Sequence, residues 1–216
     1  MTNKLLIIGT SGQAKECAQL ARQIDPECNR WSTIVYVTND KNLLGVDLPF
    51  GRIAVLDAEL QHSSTEVDVV VGIGHPETKR EICRRILFNP FLSFPNLIHP
   101  CASVDHNFVM MGFGNIMTKG VVMTCDIRIG NFNLFNLNST IGHDTEIGHY
   151  NVFNPGCSVS GGVKIGDTCL IGTGARIIEK LQIKSNIIIG AGAVVTKSID
   201  DPGTYVGMPA KMKETS

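Results

Sequence analysis

Large apolar residues recur at every sixth position through the C-terminal half of the chain. The series is unbroken from Met117 through Met123, Ile129, Phe135, Ile141, Ile147, Phe153, Val159, Ile165, Ile171, Ile177, Ile183 and Ile189 to Val195. A period of six matches neither the 3.6 residues of a helical turn nor the two-residue alternation of an ordinary strand. It is typical of a parallel β-helix, in which six residues form one short strand and one turn, and three such sides close one coil.

Stacked coils predict a fixed register between positions 18 residues apart. One buried column is therefore expected to contain Ile129, Ile147, Ile165 and Ile183. Glycine often follows the inward residue, where we expect it to let the chain turn a tight corner. A smaller residue follows three places later, so Cys157 and Cys169 are predicted to be inward-pointing core thiols.

The first ninety or so residues follow another pattern, in which short apolar runs alternate with amphipathic stretches. Residues 5–8, 33–37 and 67–73 predict buried strands, 53–56 a brief edge strand, and 13–24 and 77–87 predict helices. This β-α-β order indicates an open parallel sheet with helices on its faces, a Rossmann-like fold. Prolines between residues 88 and 104 mark the change of pattern, and we predict an α/β domain at 1–95 and a β-helix at 96–216.

The ligand crevice of such a sheet lies at the carboxyl ends of its strands. The loops predicted there supply seven candidate substrate-binding residues: Ser11, Gly12, Gln13, Asn39, Asp40, Gly74 and His75. The first loop precedes a helix, where free backbone N–H groups and the helix dipole favour an anion. It lacks the full G-x-G-x-x-G motif, and an Asn-Asp pair is also common in plain loops, so a purely structural interpretation of both loops stays open.

Composition narrows the class of partner and the compartment. Nineteen lysines and arginines against twenty acidic residues give a net charge of -1. The chain therefore lacks the excess of positive charge that would predict nucleic-acid binding. No apolar stretch approaches the roughly 20 residues that a membrane-spanning helix needs. The seven cysteines include no C-x-x-C pair, which favours a reducing compartment. We therefore predict a cytoplasmic protein without a membrane span.

His143 is the strongest candidate for chemistry in the β-helix, because it stands at a predicted corner, two residues after the inward Ile141. A histidine can take the proton of an attacking amine or hydroxyl. Asp144 and Glu146 are both candidates for fixing its tautomer. One coil further on lie Gly161 and Gly162, whose unobstructed N–H groups are expected to stabilise an oxyanion.

His149 occupies the equivalent corner of the next face, but Asp167 rather than a glycine pair lies one coil further on. We expect His149 to face solvent or a subunit contact.

Together these motifs resemble the sugar O- and N-acetyltransferases of the hexapeptide superfamily, which include sialic acid acetyltransferases and enzymes that acetylate a UDP-linked 4-amino sugar. The resemblance is carried by residues 5–12, by Leu97-Ile98-His99-Pro100, by His143-Asp144 and by residues 206–211. It implies a left-handed β-helix and a homotrimer that binds acetyl-CoA between neighbouring β-helices, with active sites between subunits. It also implies that the N-terminal domain holds the nucleotide part of the acceptor.

The resemblance further implies residue roles. His143 matches the general base, Asp144 the acid that raises its basicity, and Gly161 the glycine that meets the acetyl carbonyl. Thr173, Gly190 and Ala191 fall where the family contacts coenzyme A. Two departures leave the acceptor open: Gln13 stands where many relatives have histidine, and Thr38-Asn39-Asp40 where many have paired aspartates.

The predicted function is direct, metal-free transfer of an acetyl group from acetyl-CoA to an amine or hydroxyl of a sugar, either a nucleotide-linked amino sugar or sialic acid. The sequence does not choose between nitrogen and oxygen. One alternative is a γ-type carbonic anhydrase-like metalloprotein, although the spacing of His106, His143 and His149 does not match that family. The other is a non-catalytic trimeric sugar-binding scaffold.

Overall fold

The computed structural model describes residues 4–213, which begin with an α/β sheet. Its elements are β1 (Lys4–Ile8), α1 (Gly12–Ile24), β2 (Thr33–Thr38), a 3-10 turn (Lys41–Leu43), β3 (Asp47–Leu48), β4 (Gly51–Leu56), α2 (Asp57–Leu60), β5 (Val67–Val71), α3 (Pro76–Ile86) and β6 (Leu92–Ser93). The strand order is β3-β4-β2-β1-β5-β6, parallel except between β3 and β4. The sequence-predicted strands and helices are confirmed to within two residues at each end. The predicted edge position of 53–56 is wrong, because β4 pairs with β2 on one side and with the two-residue β3 on the other.

Two glycines let α1 pack closely against the central strands. A Cβ added to Gly72 would lie 2.8 Å from Cα of Ala14, and one added to Gly9 would lie 3.0 Å from the carbonyl oxygen of Gly72. Gly9 also has a φ of +112°, which only glycine adopts readily. The ends of β1 and β5 are thereby brought together beneath the start of α1.

The remaining strands form a parallel β-helix, apart from the last strand, which pairs antiparallel with the strand before it. They are β7 (Leu97–Ile98), β8 (Val109–Met111), β9 (Ile116–Met117), β10 (Val122–Met123), β11 (Ile127–Ile129), β12 (Leu134–Phe135), β13 (Thr140–Ile141), β14 (Glu146–Ile147), β15 (Val152–Phe153), β16 (Ser158–Val159), β17 (Lys164–Ile165), β18 (Leu170–Ile171), β19 (Arg176–Ile177), β20 (Gln182–Ile183), β21 (Ile187–Ile189), β22 (Val194–Val195), β23 (Gly203–Val206) and β24 (Lys211–Met212). The first face contains β7, β9, β12, β15, β18, β21, β23 and β24, the second β10, β13, β16, β19 and β22, and the third β8, β11, β14, β17 and β20.

The core of the β-helix follows the predicted register. Ile129 pairs with Ile147, Ile147 with Ile165, and Ile165 with Ile183. Every residue of the six-residue apolar series is at most 6 % exposed. Cys157 and Cys169 are fully buried beside them, as predicted. The fold class, an α/β unit followed by a parallel β-helix, is confirmed.

The corners follow the same six-residue period but correct the expected role of glycine. Fourteen residues of the β-helix have a φ between +56° and +77°: Gly114, Gly120, Asp126, Phe132, Asn138, Asp144, Tyr150, Gly156, Gly162, Thr168, Gly174, Lys180, Asn186 and Gly192. The glycines directly after the inward residues are not among them. A Cβ on Gly142 would instead lie 2.6 Å from the backbone nitrogen of Gly161. Those glycines are needed because the next coil lies too close, whereas the turn itself is made two residues later.

An asparagine ladder, which the sequence analysis missed, runs through the coils. Asn115, Asn133 and Asn151 are each essentially 0 % exposed. Nδ2 of Asn133 donates to Oδ1 of Asn115 at 3.1 Å, and Nδ2 of Asn151 donates to Oδ1 of Asn133 at 3.0 Å. The amides also donate to backbone carbonyl oxygens, so these buried polar groups are satisfied.

The α/β sheet packs against the first face and the corner that precedes it. α1 contacts β7, and its apolar side shares a cluster with Leu134 and Val152 of the first face. From α3, Cys83 packs in a cluster with Phe132 and Tyr150. β6 is the last strand of the α/β sheet and β7 the first of the β-helix. No helix within residues 4–213 has the length and apolar character to cross a membrane.

Candidate active site

His143 and Asp144 form a close pair at the corner between the second and third faces, between β13 and β14. Nδ1 of His143 lies 2.7 Å from Oδ2 of Asp144, and the two side chains are 64 % and 65 % exposed. Glu146, the other predicted partner, instead accepts from Nζ of Lys164 at 3.0 Å. Because an ionised carboxylate can only accept, Nδ1 is the nitrogen that donates in this contact, and in the neutral imidazole Nε2 then keeps its lone pair.

Gly161 lies directly beside this imidazole on the following coil. A Cβ added to Gly161 would lie 2.6 Å from both Cε1 and Nε2 of His143, so only glycine leaves room for the ring. The N–H of Gly162 donates to the carbonyl oxygen of His143 at 2.7 Å. The expectation of two unobstructed N–H groups is therefore wrong for Gly162, because that group closes the ladder between coils. The N–H of Gly161 makes no hydrogen bond within residues 4–213.

His149 is used differently at the corner between the third and first faces. Its Nδ1 accepts from the N–H of Asn131 at 2.9 Å. Its own N–H donates to Oδ1 of Asp167 at 2.7 Å, and the N–H of Asp167 donates to Oγ of Ser185 at 2.9 Å. This capping column stabilises the corner and gives the partly exposed His149 a structural role, while its predicted exposure to solvent or a subunit contact stays a prediction.

The residues expected to contact coenzyme A lie at a third corner, between the first and second faces. Thr173 and Ala191 stack on successive coils, and the N–H of Gly192 donates to the carbonyl oxygen of Thr173 at 2.8 Å. Gly190 follows β21, where an added Cβ would lie 2.8 Å from Cγ1 of Val206. Within one chain the structure thus brings these three together but separates them from His143 and Gly161 by the width of the second face.

The predicted crevice of the α/β sheet is present, with a volume of about 660 Å³. It is lined by the ends of β1 and β2, including Gly9, Thr10 and Asn39, and by Ile73 after β5. Asn39 is the one predicted binding residue in this lining.

The other predicted residues of these loops lie around the crevice. Ser11 is the N-cap residue of α1, Gly12 is its first residue, and Gln13 directs Nε2 towards Sγ of Cys17 at 3.9 Å. Asp40 accepts from the N–H of Asn42 at 2.9 Å and so caps the 3-10 turn. Gly74 and His75 are exposed residues that precede α3.

Sequence reasoning missed the charged wall of this crevice. It is formed by one side of α3, with Thr78, Glu81, Arg84 and Arg85, and by Asp57 at the start of α2. Arg85 pairs with Asp57 at 2.9 Å. The spacing of these residues along the predicted helix was the available signal, because positions three and four apart share one face.

Cys125 was also missed, although it lies one coil before His143 in the same corner column. It is exposed, and its carbonyl oxygen accepts from the N–H of Asp144 at 3.1 Å. The available signal was the 18-residue spacing, which links Cys125 to His143 just as it links His143 to Gly161. Cys157 and Cys169 point inward, and burial raises their thiol pKa values to about 12 and about 11.

The residues between 4 and 213 contain no group of three or more histidine, cysteine, aspartate or glutamate side chains placed to hold a metal ion.

Comparison with known proteins gives the same picture over both parts of the chain. Residues 4–86 match the family model of the PglD N-terminal domain. No curated protein sequence matches the chain. The acetyltransferase domain of PglB from Neisseria gonorrhoeae, solved with acetyl coenzyme A, superimposes with a TM-score of 0.88 at 28 % identity, covering 99 % of this chain and 100 % of that one.

Two further solved structures match along the same length. PerB from Caulobacter crescentus, solved with CoA and GDP-perosamine, has a TM-score of 0.87 at 27 % identity, with 99 % of each chain covered. WeeI from Acinetobacter baumannii has a TM-score of 0.85 at 27 % identity, covering 98 % of this chain and all of that one. The chain is similar to hexapeptide sugar acetyltransferases over its whole length. The predicted resemblance, and the predicted enzyme class at this level, are confirmed.

Proposed function

We propose that this protein transfers the acetyl group of acetyl-CoA to an amine or hydroxyl of a sugar, with His143 as general base. The observation that carries the proposal is the 2.7 Å contact between Nδ1 of His143 and Oδ2 of Asp144, with Nε2 lying over Gly161. A base that is oriented by a carboxylate and sits beside a free N–H group is the arrangement that acyl transfer requires. The relatives solved with acetyl coenzyme A or CoA support the choice of donor.

The proposed reaction is a single direct transfer. Nε2 of His143 takes the proton of the acceptor as its nitrogen or oxygen attacks the thioester carbon. The N–H of Gly161 stabilises the oxyanion of the tetrahedral intermediate, and Asp144 stabilises the imidazolium that forms. Collapse of the intermediate releases the acetylated sugar and free coenzyme A. Cys157 and Cys169 are buried and take no part as nucleophiles.

The proposed enzyme is a homotrimer with active sites between subunits. Thr173, Gly190 and Ala191 are assigned to coenzyme A, yet they lie at a different corner from His143. A site that uses both corners is most simply completed when a neighbouring subunit brings its own corner to the cleft. Trimerisation is tested by measuring the molar mass in solution, and a monomer that is fully active would contradict this arrangement.

The proposed acceptor is a nucleotide-linked amino sugar rather than free sialic acid. PerB, one of the similar proteins, was solved with a GDP-linked sugar. In this chain the proposed domain 1–95 offers a crevice with Asn39 on one side and Arg84 on the other. We assign the nucleotide to this crevice and to the loops that contain Ser11, Gly12, Gln13, Asp40, Gly74 and His75. The proposed setting for this reaction is the cytoplasm.

The proposed function is tested by following free thiol as acetyl-CoA is incubated with the protein and one acceptor at a time. The panel contains UDP-linked and GDP-linked amino sugars and free sialic acid, with a control that lacks acceptor. We expect thiol release that depends on a nucleotide-linked amino sugar and continues in the presence of a metal chelator. If no acceptor raises thiol release above the control, the catalytic proposal is wrong and a sugar-binding scaffold is favoured.

A further inference from the structure

We propose that Cys125 forms the acceptor-side wall of the active site and helps determine which sugars enter it. This inference rests on the proposed function, in which His143 is the base and Gly161 meets the thioester. It adds a specificity-determining residue that is not among the predicted site residues.

Cys125 lies directly beside His143 on the preceding coil. Met123 pairs with Ile141 in register, and the N–H of Asp144 donates to the carbonyl oxygen of Cys125 at 3.1 Å. Neighbouring parallel strands are about 4.8 Å apart, so the two side chains project side by side from one corner. The thiol is exposed, in contrast to those of Cys17, Cys83, Cys157 and Cys169.

The imidazole divides the corner into two sides. The ring lies over Gly161 on the following coil, because an added Cβ there would be 2.6 Å from Nε2. Of the residues assigned to acetyl-CoA, Gly161 lies on that following side of the same corner, and Thr173, Gly190 and Ala191 lie at another corner on later coils. The side that remains for the acceptor is the preceding coil, where Cys125 is the outward residue.

The geometry of attack is compatible with the same assignment. In the proposed reaction the carbonyl oxygen of the thioester points to the N–H of Gly161, and a nucleophile adds from one face of the carbonyl plane, tilted away from the oxygen. With the acetyl group on the Gly161 side of the corner, the sugar that carries the nucleophile is left with the Cys125 side. A thiol is small and only weakly polar, so it leaves space for a sugar ring without competing for its hydrogen bonds.

Selective alkylation of Cys125 tests this inference. Cys101 is the other exposed cysteine, and Cys28 is partly exposed with its sulfur 2.9 Å from Nη1 of Arg22. The experiment treats C101S with N-ethylmaleimide and confirms modification of Cys125 by peptide mass. C101S/C125S, which keeps Cys28, receives the same treatment, and each protein is compared with its own untreated rate.

We expect the modified C101S to show an acceptor KM at least about tenfold higher, or no turnover, while its affinity for acetyl-CoA in calorimetry changes less than twofold. A saturating acceptor should slow the modification, and the treated C101S/C125S should keep its own rate. Cys125→Phe is expected to reproduce the rise in acceptor KM without loss of thermal stability, which excludes unfolding by the reagent.

Two results would overturn the inference. If modification abolishes acetyl-CoA binding, Cys125 lies on the donor side, and if it changes neither acceptor KM nor turnover, Cys125 is outside the site. Failure of the proposed function has a different signature, because the untreated protein would then release no thiol with any acceptor.

Discussion

At the scale of single residues, two histidines six positions apart in one lattice have different partners. His149 accepts from the N–H of Asn131 through Nδ1, whereas His143 uses Nδ1 to contact Asp144. The ring of His149 is thus tied to a backbone N–H of the preceding coil, and Asp167 on the following coil accepts from its backbone N–H. The ring of His143 has no such backbone partner among the described residues and lies over Gly161, which leaves its Nε2 available for the proposed chemistry.

Gly161→Ala should displace the imidazole of His143, because the new methyl group would lie 2.6 Å from Nε2. A displacement of about 1 Å at a reacting group costs on the order of 10²-fold in rate, so kcat should fall by that order. Gly130→Ala is the matched control, since its methyl group would lie 2.6 Å from Nδ1 of His149 at the capped corner. It should lower the melting temperature but leave kcat of the folded enzyme unchanged, and equal losses of kcat in both variants would contradict the assignment.

The sequence could predict the placement of His143 but not its orientation. Adding 18 to 143 gives Gly161, and subtracting 18 gives Cys125, because the lattice period fixes which residues stack. The tilt of the ring depends on Asp144, and nothing in the spacing distinguished Asp144 from Glu146. The pairing of Glu146 with Lys164 on the neighbouring coil decided that question. The backbone neighbours of a residue can thus be predicted from the sequence period, whereas its side-chain partners on other coils can be identified only from coordinates.

At the scale of elements, the β-helix is specified by its inward column and its corners together. Inward residues were predictable because burial repeats every six positions. The corner residues with a left-handed backbone could not be predicted from residue type, because only six of the fourteen are glycine. The rest include Phe132, Tyr150 and Lys180. A left-handed conformation costs a non-glycine residue roughly 1 kcal/mol or more, so packing of neighbouring coils must hold those corners in place. The asparagine ladder was missed for a similar reason. Its residues recur every 18 positions, but they are polar, so a search for buried apolar positions does not find them.

Ile165→Asp should abolish the cooperative fold of several coils. Ile165 is 4 % exposed and lies between Ile147 and Ile183, so a carboxylate there would be buried without a partner. We expect a loss of more than about 4 kcal/mol in the free energy of unfolding, seen as a broad or absent thermal transition. Lys164→Gln, one residue away on the exposed side, removes only a surface ion pair and should cost less than about 1 kcal/mol. A normal melting curve for Ile165→Asp would contradict the stacked register.

At the scale of the whole molecule, the α/β unit is docked on the β-helix through α1 and α3, and α3 carries a buried cation. Lys79 of α3 is 1 % exposed and its Nζ has no hydrogen-bond partner within residues 4–213. Burial lowers its pKa to about 8, and Cys83 and Cys17 are its titratable neighbours. The sequence placed residue 79 on a helix but could not assign it to the buried side.

Lys79→Met should therefore stabilise the protein, and by an amount that depends on pH. The pKa of Lys79 is lower in the folded protein than in the unfolded chain, so the unfolded chain holds the proton more tightly. The charged Lys79 therefore lowers the free energy of unfolding. This cost is fully present at pH 7 and decreases between about pH 8 and 10.5. We expect a gain in the free energy of unfolding on the order of 3 kcal/mol at pH 7, smaller by about 1 kcal/mol at pH 9. The quantity to measure, by denaturant unfolding, is the difference in the free energy of unfolding between the unmodified protein and Lys79→Met. Both proteins contain the buried cysteines, so the titration of those thiols cancels in the difference. A pH-independent difference would contradict a charged, buried Lys79.

The most direct test of the central claim measures kcat and thermal unfolding for His143→Ala and His149→Ala side by side. His143→Ala is predicted to lower kcat by about 10²-fold or more while the melting temperature and the oligomeric state are unchanged, because its side chain is exposed and is proposed to serve only the reaction. His149→Ala is predicted to keep kcat but lose about 1 kcal/mol of stability with its cap. Turnover of His143→Ala close to that of the unmodified enzyme would contradict the claim that this corner of the β-helix carries the base for acetyl transfer.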